Sequence, residues 1–294
     1  MATDSEKTVA FIGCGNMGGA ILKGVLDAAF KSSPESTTQS RPISKFIACT
    51  KTAGSAERLQ ADLPEEHQSR VKVVSGAIVE SMNEADVIVL GFKPFMANDV
   101  LSMKGVKRAL SNKLVISLLA GQTPKNLVEI IQGSEESSTA PPVVVQVIPN
   151  MGAEFRQSMT IIRTPETPLP VEMKDILEWI FNQVGWIKYL PDNQMDVGSV
   201  LVGAALATLT VPIEGILDGC VAEGIKRPDA MEMVLRGIRG LSAALEAGIH
   251  PAVLRESISS PRGCTIQALL ALERAGSRAD YADAIIKGTQ HLKK

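Results

Sequence analysis

The residues best suited to chemistry stand near the start of the chain, in Gly13-Cys14-Gly15-Asn16-Met17-Gly18. Glycines at this spacing do what residues with side chains cannot. Gly13 can close a tight turn, Gly15 lets backbone approach a pyrophosphate, and Gly18, helped by Gly19, lets a helix pack closely on its strand. The chemistry is dinucleotide binding, because a helix N-terminus offers unpaired N–H groups and a positive dipole end to phosphates. A second candidate is the loop Ile258–Glu273, ISSPRGCTIQALLALE. Ser260-Pro261 breaks one helix and Arg262-Gly263-Cys264-Thr265 opens the next. Amides of Gly263, Cys264 and Thr265 would be unpaired there, with hydroxyls beside them, which suits a small carboxylate. On spacing alone, an ordinary cap and turn is the other reading.

The elements needed to position the first site are legible. The apolar run Val9–Ile12 predicts a strand, and Met17, Ile21, Leu22 and Val25 fall on one helical face. This is the strand–turn–helix context that gives the glycine motif meaning. A polar loop is expected over Lys31–Pro42, then a strand over Lys45–Thr50. An NAD fingerprint would carry an acidic residue near that strand's end. Here Thr50, Lys51, Ser55 and Arg58 follow instead, groups that attract a 2′-phosphate, so NADPH is favoured over NADH. Simple solvation of Lys51 and Arg58 is the bland alternative.

Further strands are expected at Val71–Val74, Asp86–Phe92, Leu114–Ala120, Val143–Ile148 and Met159–Arg163, with helices between, one from about Pro94 to Leu110. Thr123-Pro124 reads as an N-cap with proline at the first helical position. Strands alternating with helices predict an α/β, doubly wound, mainly parallel sheet, with ligands at the carboxyl ends of the strands. Gly13, Thr50, Lys93, Gly121 and Asn150 all follow predicted strands, so one sheet edge collects them.

Three prolines in Thr164–Pro170 suggest a border, dividing the chain into a dinucleotide-binding domain, 1–166, and a mainly helical domain, 167–294. A helix at Val171–Gln183 and a strand at Trp186–Leu190 can still belong to the first domain. From Gln194 the chain reads as helical. Met231, Val234, Leu235, Ile238, Leu241 and Leu245 form a stripe that stops at Gly248. Helices also fit Pro251–Ser257, Cys264–Ala275 and Asp280–Leu292.

Bulk properties narrow the function classes. The 294 residues carry a formal net charge of -2, and only 4% are aromatic, which argues against a nucleic-acid partner. Cys14, Cys49, Cys220 and Cys264 lack zinc-ligand spacing, so no metal is expected, and their scatter points to a reducing, cytoplasmic setting. The polar start MATDSEK resembles no targeting segment. Val197–Ile213 holds no charge for 17 residues, the lower limit for a membrane span. Its glycines, hydroxyls, Pro212 and acidic flanks (Asp196, Glu214) favour a core or interface helix, not a membrane. His67, His250 and His291 lie outside every motif, and His250 before Pro251 suits a surface or capping role.

The chain resembles the pyrroline-5-carboxylate reductase family from end to end. The resemblance is carried by FIGCGNMGGAI at the start, LGFKP at Leu90–Pro94, ISLLAGQT at Ile116–Thr123 and IPN at Ile148–Asn150. LDGCVAEGI at Leu217–Ile225 and SPRGCTIQALLALE, close to the family's SPGGTTI or SPGGATI signature, complete it. It implies a Rossmann domain followed by an all-helical dimerisation domain, a homodimer or larger ring, and hydride transfer from NADPH or NADH to a cyclic imino acid, giving proline. It also implies that Ser260, Gly263 and Cys264 bind the substrate carboxylate, with Asn150 nearby, and that Thr265 bonds the ring nitrogen. Gly13, Gly15, Asn16, Met17, Gly18, Thr50, Lys51, Phe92, Lys93, Pro94, Ala120 and Gly121 would surround the cofactor.

The departures are specific. Val202–Thr208 stands where the family has SGSGPAY, and Gln146 replaces an arginine. Arg262 replaces the first glycine of SPGG, which brings a fork suited to carboxylates within reach of the loop or, equally, points it to solvent; Cys264 is expected to be a small buried filler, with a reactive thiol as the other reading. Two alternatives follow: a reductase of a substituted pyrroline or piperideine carboxylate, or an NADPH-binding non-catalytic paralogue. β-Hydroxyacid dehydrogenases share the layout and use a helical-domain lysine, for which Lys174 and Lys226 are candidates.

Overall fold

The computed structural model describes residues 7–30, 42–133 and 139–293. The polar loop expected over Lys31–Pro42 falls, up to residue 41, outside these residues, as does most of the MATDSEK start.

Apolar β-prone runs form the centre of the sheet. β1 (Lys7–Ile12) runs into the glycine turn and α1 (Asn16–Phe30). β2 (Ile43–Thr50), α2 (Ala53–Asp62), α3 (Glu65–Gln68), β3 (Val71–Ser75) and α4 (Ile78–Glu84) follow. β4 (Val87–Leu90), α5 (Ala97–Leu101), α6 (Val106–Ala109), β5 (Leu114–Ser117) and α7 (Pro124–Gln132) complete the next units. The single helix expected from Pro94 to Leu110 is broken. A 3₁₀ turn, Pro94–Met96, opens it, and Gly105 at φ +98° divides α5 from α6. Thr123 caps α7 as expected, accepting from the Asn126 amide at 3.1 Å.

β6 (Val143–Ile148), β7 (Ser158–Arg163), α8 (Val171–Gln183) and β8 (Gly185–Leu190) extend the sheet. Among the described residues its order is β3-β2-β1-β4-β5-β6-β7-β8. All pairings are parallel except β6 with β7. The reversal of order at β1 and β4 opens the crevice where such sheets bind ligands, outside the carboxyl ends. Each face of the sheet has its own core. Phe11, Leu22, Leu26, Phe46, Ile176 and Phe181 fill one. Ile12, Met82, Ile88, Leu90, Leu101 and Leu119 fill the other. Burying a side chain of this size stabilises by about 1.5–3 kcal/mol, so the central strands hold the glycine turn rigidly.

The border expected at residue 166 lies elsewhere. α8 and β8 belong to the sheet, since β8 pairs with β7 along its whole length. The first compact unit runs to Gly203 and the second covers Ala204–Leu292. The prolines of 164–170 make a connection within the first unit, not a linker.

After a 3₁₀ turn at Asp192–Gln194, α9 (Met195–Ser199) packs on the β7–β8 end of the sheet with Ile148, Ile161 and Leu190. A wider π turn, Val200–Ala204, precedes α10 (Ala205–Ala222). α11 (Arg227–Glu246), α12 (Pro251–Ile258), α13 (Cys264–Arg274) and α14 (Ser277–Leu292) make up the rest of the second unit. Its apolar stripe is real but uncovered within the chain: Met231, Leu235, Ile238, Leu241 and Leu245 are all exposed, as are Leu209, Val211 and Ile216 of α10. Asp192–Ala222 is long and apolar enough to cross a membrane by length and composition.

Candidate active site

The glycine turn is built by close approach of backbone. Gly13 sits at φ +86°, and a Cβ there would lie 2.6 Å from the Phe92 amide nitrogen. A Cβ on Gly91 would lie 2.8 Å from the Gly13 carbonyl oxygen. The turns after β1 and β4 therefore touch, and only glycine fits at both contacts. The Gly13 and Cys14 amides both donate to the Cys49 carbonyl, at 2.9 and 3.1 Å. The first intrahelical bond of α1 is Gly19 N–H to Gly15 O, at 2.7 Å. The amides of Asn16, Met17 and Gly18 precede it and face outward as helix-end donors. Gly15 has open space where a Cβ would stand, with nothing within 4 Å.

These groups open into a cavity of about 640 Å³ at the carboxyl ends of the strands. The structure brings together on its walls Gly13, Gly15, Asn16, Met17, Thr50, Lys51, Phe92, Lys93, Pro94 and Ala120, all expected from sequence. Gly18 and Gly121 do not line it. Gly18 packs against the Gly13 carbonyl, 3.2 Å from its ideal Cβ, and Gly121 makes a left-handed turn at φ +75°. Gly91, Leu118, Pro149 and Met151 also line the cavity and were not predicted. Gly91 lies within the LGFKP motif; Pro149 and Met151 flank Asn150, so a wall beside it was the available signal. Outward amides, a bare glycine and a cavity of this size fit a dinucleotide.

Two residues expected to touch ligand are occupied by the fold. The Thr50 hydroxyl is buried and donates to the Thr52 carbonyl at 3.0 Å, with Val74 O at 3.3 Å. It holds the turn after β2. Asn150 caps the 3₁₀ turn Met151–Phe155, its Oδ1 accepting from the Gly152 amide at 2.9 Å. Its backbone amide donates to the Ser158 hydroxyl at 3.1 Å. Asn150 shapes the cavity wall from behind. Of the cationic corner expected after β2, Lys51 and Ser55 line the cavity, and Arg58 stands behind Ser55. Thr52 caps α2, and Arg58 donates to the Ser55 hydroxyl at 3.2 Å and to the Gly54 carbonyl at 3.2 Å.

Nucleophilic chemistry finds little support here. Burial in the glycine turn pushes the Cys14 thiol up to about 12, with Cys49 adding to the shift and Lys23 opposing it. Burial likewise raises Cys49. Both thiols stay protonated at neutral pH and act as packing. Among the described residues no cluster of His, Cys, Asp or Glu could hold a metal ion. His250 is an exposed cap, its Nδ1 accepting from the Ala252 amide at 3.2 Å.

The loop in the second unit has its own construction. Ser259 ends α12, and the Gly263 amide donates to the Ser260 carbonyl at 3.0 Å. A Cβ on Gly263 would lie 2.4 Å from the Ser260 hydroxyl oxygen, so the serine sits against the first turn of α13. α13 has no side-chain cap among the described residues, which leaves its first amides available. Arg262 holds a left-handed conformation, φ +61°, as a glycine would. Ser260, Arg262, Gly263, Cys264 and Thr265 thus form one local constellation. Cys264 is exposed within the chain, against the expectation of a buried filler. Lys174 pairs with Glu178 on the solvent face of α8 and Lys226 precedes α11, so neither sits in a site within its own unit.

A dinucleotide cradle on a doubly wound sheet, followed by a separate helical unit with an uncovered apolar stripe, defines a Rossmann-type oxidoreductase. The family model for pyrroline-5-carboxylate reductase dimerisation matches residues 192–294, and that for coenzyme F420-dependent NADP oxidoreductase matches residues 8–121. Pyrroline-5-carboxylate reductase of Lophium arboricola is 35% identical over 97% of this chain and 92% of its own length. That of Neurospora crassa is 36% identical over 98% and 92%. A Plasmodium falciparum pyrroline carboxylate reductase solved with NADP bound has the same fold, at TM-score 0.79 and 24% identity, covering 98% of this chain and 97% of its own. The chain belongs to the pyrroline-5-carboxylate reductase family.

Proposed function

We propose that the protein reduces pyrroline-5-carboxylate to proline with NADPH. The observation that carries this reading is the cavity that joins the glycine turn, Lys51 and the Lys93-Pro94 segment in one dinucleotide-shaped site, in a chain of this family. NADPH, when bound, would supply the hydride; the imine enters protonated on its ring nitrogen, its C=N carbon accepts the hydride, and the nitrogen retains that proton as an amine. The protein's part is to orient and to exclude water. The Asn16, Met17 and Gly18 amides would hold the pyrophosphate, and Lys51 with Ser55 and Arg58 would take the 2′-phosphate. In the second unit, the uncapped amides of α13 and the Ser260 hydroxyl receive the substrate carboxylate. No hydrogen bond among the described residues occupies the Thr265 hydroxyl, which is therefore available to the ring nitrogen. No nucleophile is required, in keeping with the two protonated thiols of the first unit.

The exposed stripe of α10 and α11 supports a homodimer formed through the helical unit, since faces of this kind in soluble proteins mark interaction sites. The same partner would cover Asp192–Ala222 without a membrane. Unpaired cysteines suit a cytoplasmic protein. The test is NADPH oxidation by the purified protein with pyrroline-5-carboxylate, beside piperideine carboxylate and a no-substrate control. Turnover of only the six-membered or a substituted imine would give the enzyme a different substrate. NADPH binding without any turnover would make it a non-catalytic relative.

A further inference from the structure

The cofactor cavity is walled on one side by Leu118 and Ala120, and on another by Ile148, Pro149 and Met151. One buried polar side chain lies behind both walls. Gln146 is on β6 in register with Ser117 of β5, two residues before Ile148, and only 3% exposed. Its Nε2 donates to the Leu119 carbonyl at 3.4 Å, and its Oε1 accepts from Arg163 Nε at 2.8 Å. The same Leu119 carbonyl accepts from the Gln122 amide at 3.2 Å, so it closes the turn that presents Ala120. Arg163, on β7, in turn pairs with Asp192. Its guanidinium is mostly buried, and that burial lowers its pKa while Asp196 opposes the shift.

The order of these bonds has a direction. Asp192 fixes the Arg163 fork. The fork fixes which end of the Gln146 amide faces β7, because only the oxygen can accept from Nε. The Gln146 NH₂ must then face the Leu119 carbonyl. The turn at Leu119–Gln122 has few other anchors: the Leu118 amide donates to the Leu90 carbonyl at 3.0 Å, and the Leu119 amide to the Ser117 hydroxyl at 3.3 Å. We propose that Gln146, oriented by Arg163 and Asp192, is a positioning residue for the cofactor. It holds the Leu118–Gly121 wall at the spacing the dinucleotide needs. The proposal rests on the assignment of the cavity to NADPH, not on the identity of the imine.

Gln146→Glu is the discriminating variant. A carboxylate keeps the Arg163 contact, and strengthens it, but turns an acceptor toward the Leu119 carbonyl. It should bind NADPH about tenfold more weakly, measured directly by fluorescence titration, a loss typical of one buried hydrogen bond turned to repulsion. The KM for the imino acid should stay within about twofold and the melting temperature should hold. Gln146→Met, which loses both bonds, should weaken NADPH and also lower the melting temperature. Arg163→Lys, which keeps the charge beside Asp192 but removes the Nε donor, should fall between wild type and Gln146→Glu in NADPH affinity. Hydrogen exchange gives a readout without any cofactor: the Leu118–Gln122 amides should exchange faster in Gln146→Glu than in wild type. Unchanged exchange in that segment, or NADPH affinity that tracks melting temperature across the three variants, overturns the proposal. Failure of the wild type to bind NADPH would instead remove the cofactor assignment, while the exchange result still decides whether Gln146 holds the turn.

Discussion

Gly13 and Gly15 are two residues apart and should fail in different ways. At Gly13 an alanine must adopt φ +86°, and its Cβ meets Phe92 backbone at 2.6 and 2.8 Å. The left-handed conformation costs about 1–2 kcal/mol, and forcing two backbone segments apart costs about 1–3 kcal/mol more. Gly13→Ala should therefore lose about 2–5 kcal/mol of stability. At Gly15 the backbone is not left-handed and the methyl meets no protein atom within 4 Å. Gly15→Ala should change stability by less than about 1 kcal/mol, mostly through the weaker helix start. Its methyl, however, stands in the space through which the α1 amides reach a pyrophosphate. Loss of one charge-assisted bond is worth about 1.5–3 kcal/mol, so NADPH affinity should fall by about 10- to 100-fold. Thermal melts and fluorescence titration with NADPH on both variants decide the matter. Wild-type affinity in Gly15→Ala would mean that the bare backbone at Gly15 does not admit the pyrophosphate, and equal destabilisation in the two variants that the two glycines do not fail in different ways.

Arg58→Ala should weaken NADPH by about tenfold or more and leave NADH nearly unchanged, because the exposed guanidinium, held on the Gly54 carbonyl and the Ser55 hydroxyl, offers its charge to a 2′-phosphate that NADH lacks; parallel titrations with the two cofactors check it. Arg262→Gly should relieve about 1–2 kcal/mol of left-handed strain, partly offset by about 0.5–1 kcal/mol of glycine entropy, giving a small rise in melting temperature, while the KM for the imino acid rises if the fork touches its carboxylate. Stability should fall in alkali. The Cys14 thiol has its folded pKa raised from 9.0 to about 12; the unfolded chain thus loses this proton first, so the thiol's contribution is complete below about pH 9 and is lost as pH rises toward 12. The slope should be on the order of 1 kcal/mol per pH unit, and Cys14→Ala should flatten it in alkaline melts.

The glycine site was legible because its requirement is local. A tight turn, a close backbone approach and a helix start are written in three glycines and the apolar run before them. Strand identities were legible for the same reason, buried parallel strands being continuous runs of Val and Ile. What escaped the sequence was tertiary. Thr50 and Asn150 fall after strands, where ligands bind, but nothing in their types shows that Val74, Thr52 and Gly152 use their side chains. The prolines of 164–170 looked like a domain border, yet β8 returns to pair with β7 beyond them. Met231 to Leu245 has the period of a core helix, and period alone cannot tell a covered face from one that awaits a partner. The left-handed Arg262 was invisible because its residue type argues against the conformation it holds.

The most direct measurement is the rate of NADPH oxidation by purified protein with pyrroline-5-carboxylate, with proline identified as the product and Thr265→Ala run alongside. Saturable turnover that yields proline and drops sharply in the variant is the expected result. No turnover of pyrroline-5-carboxylate, with NADPH still bound, would contradict it.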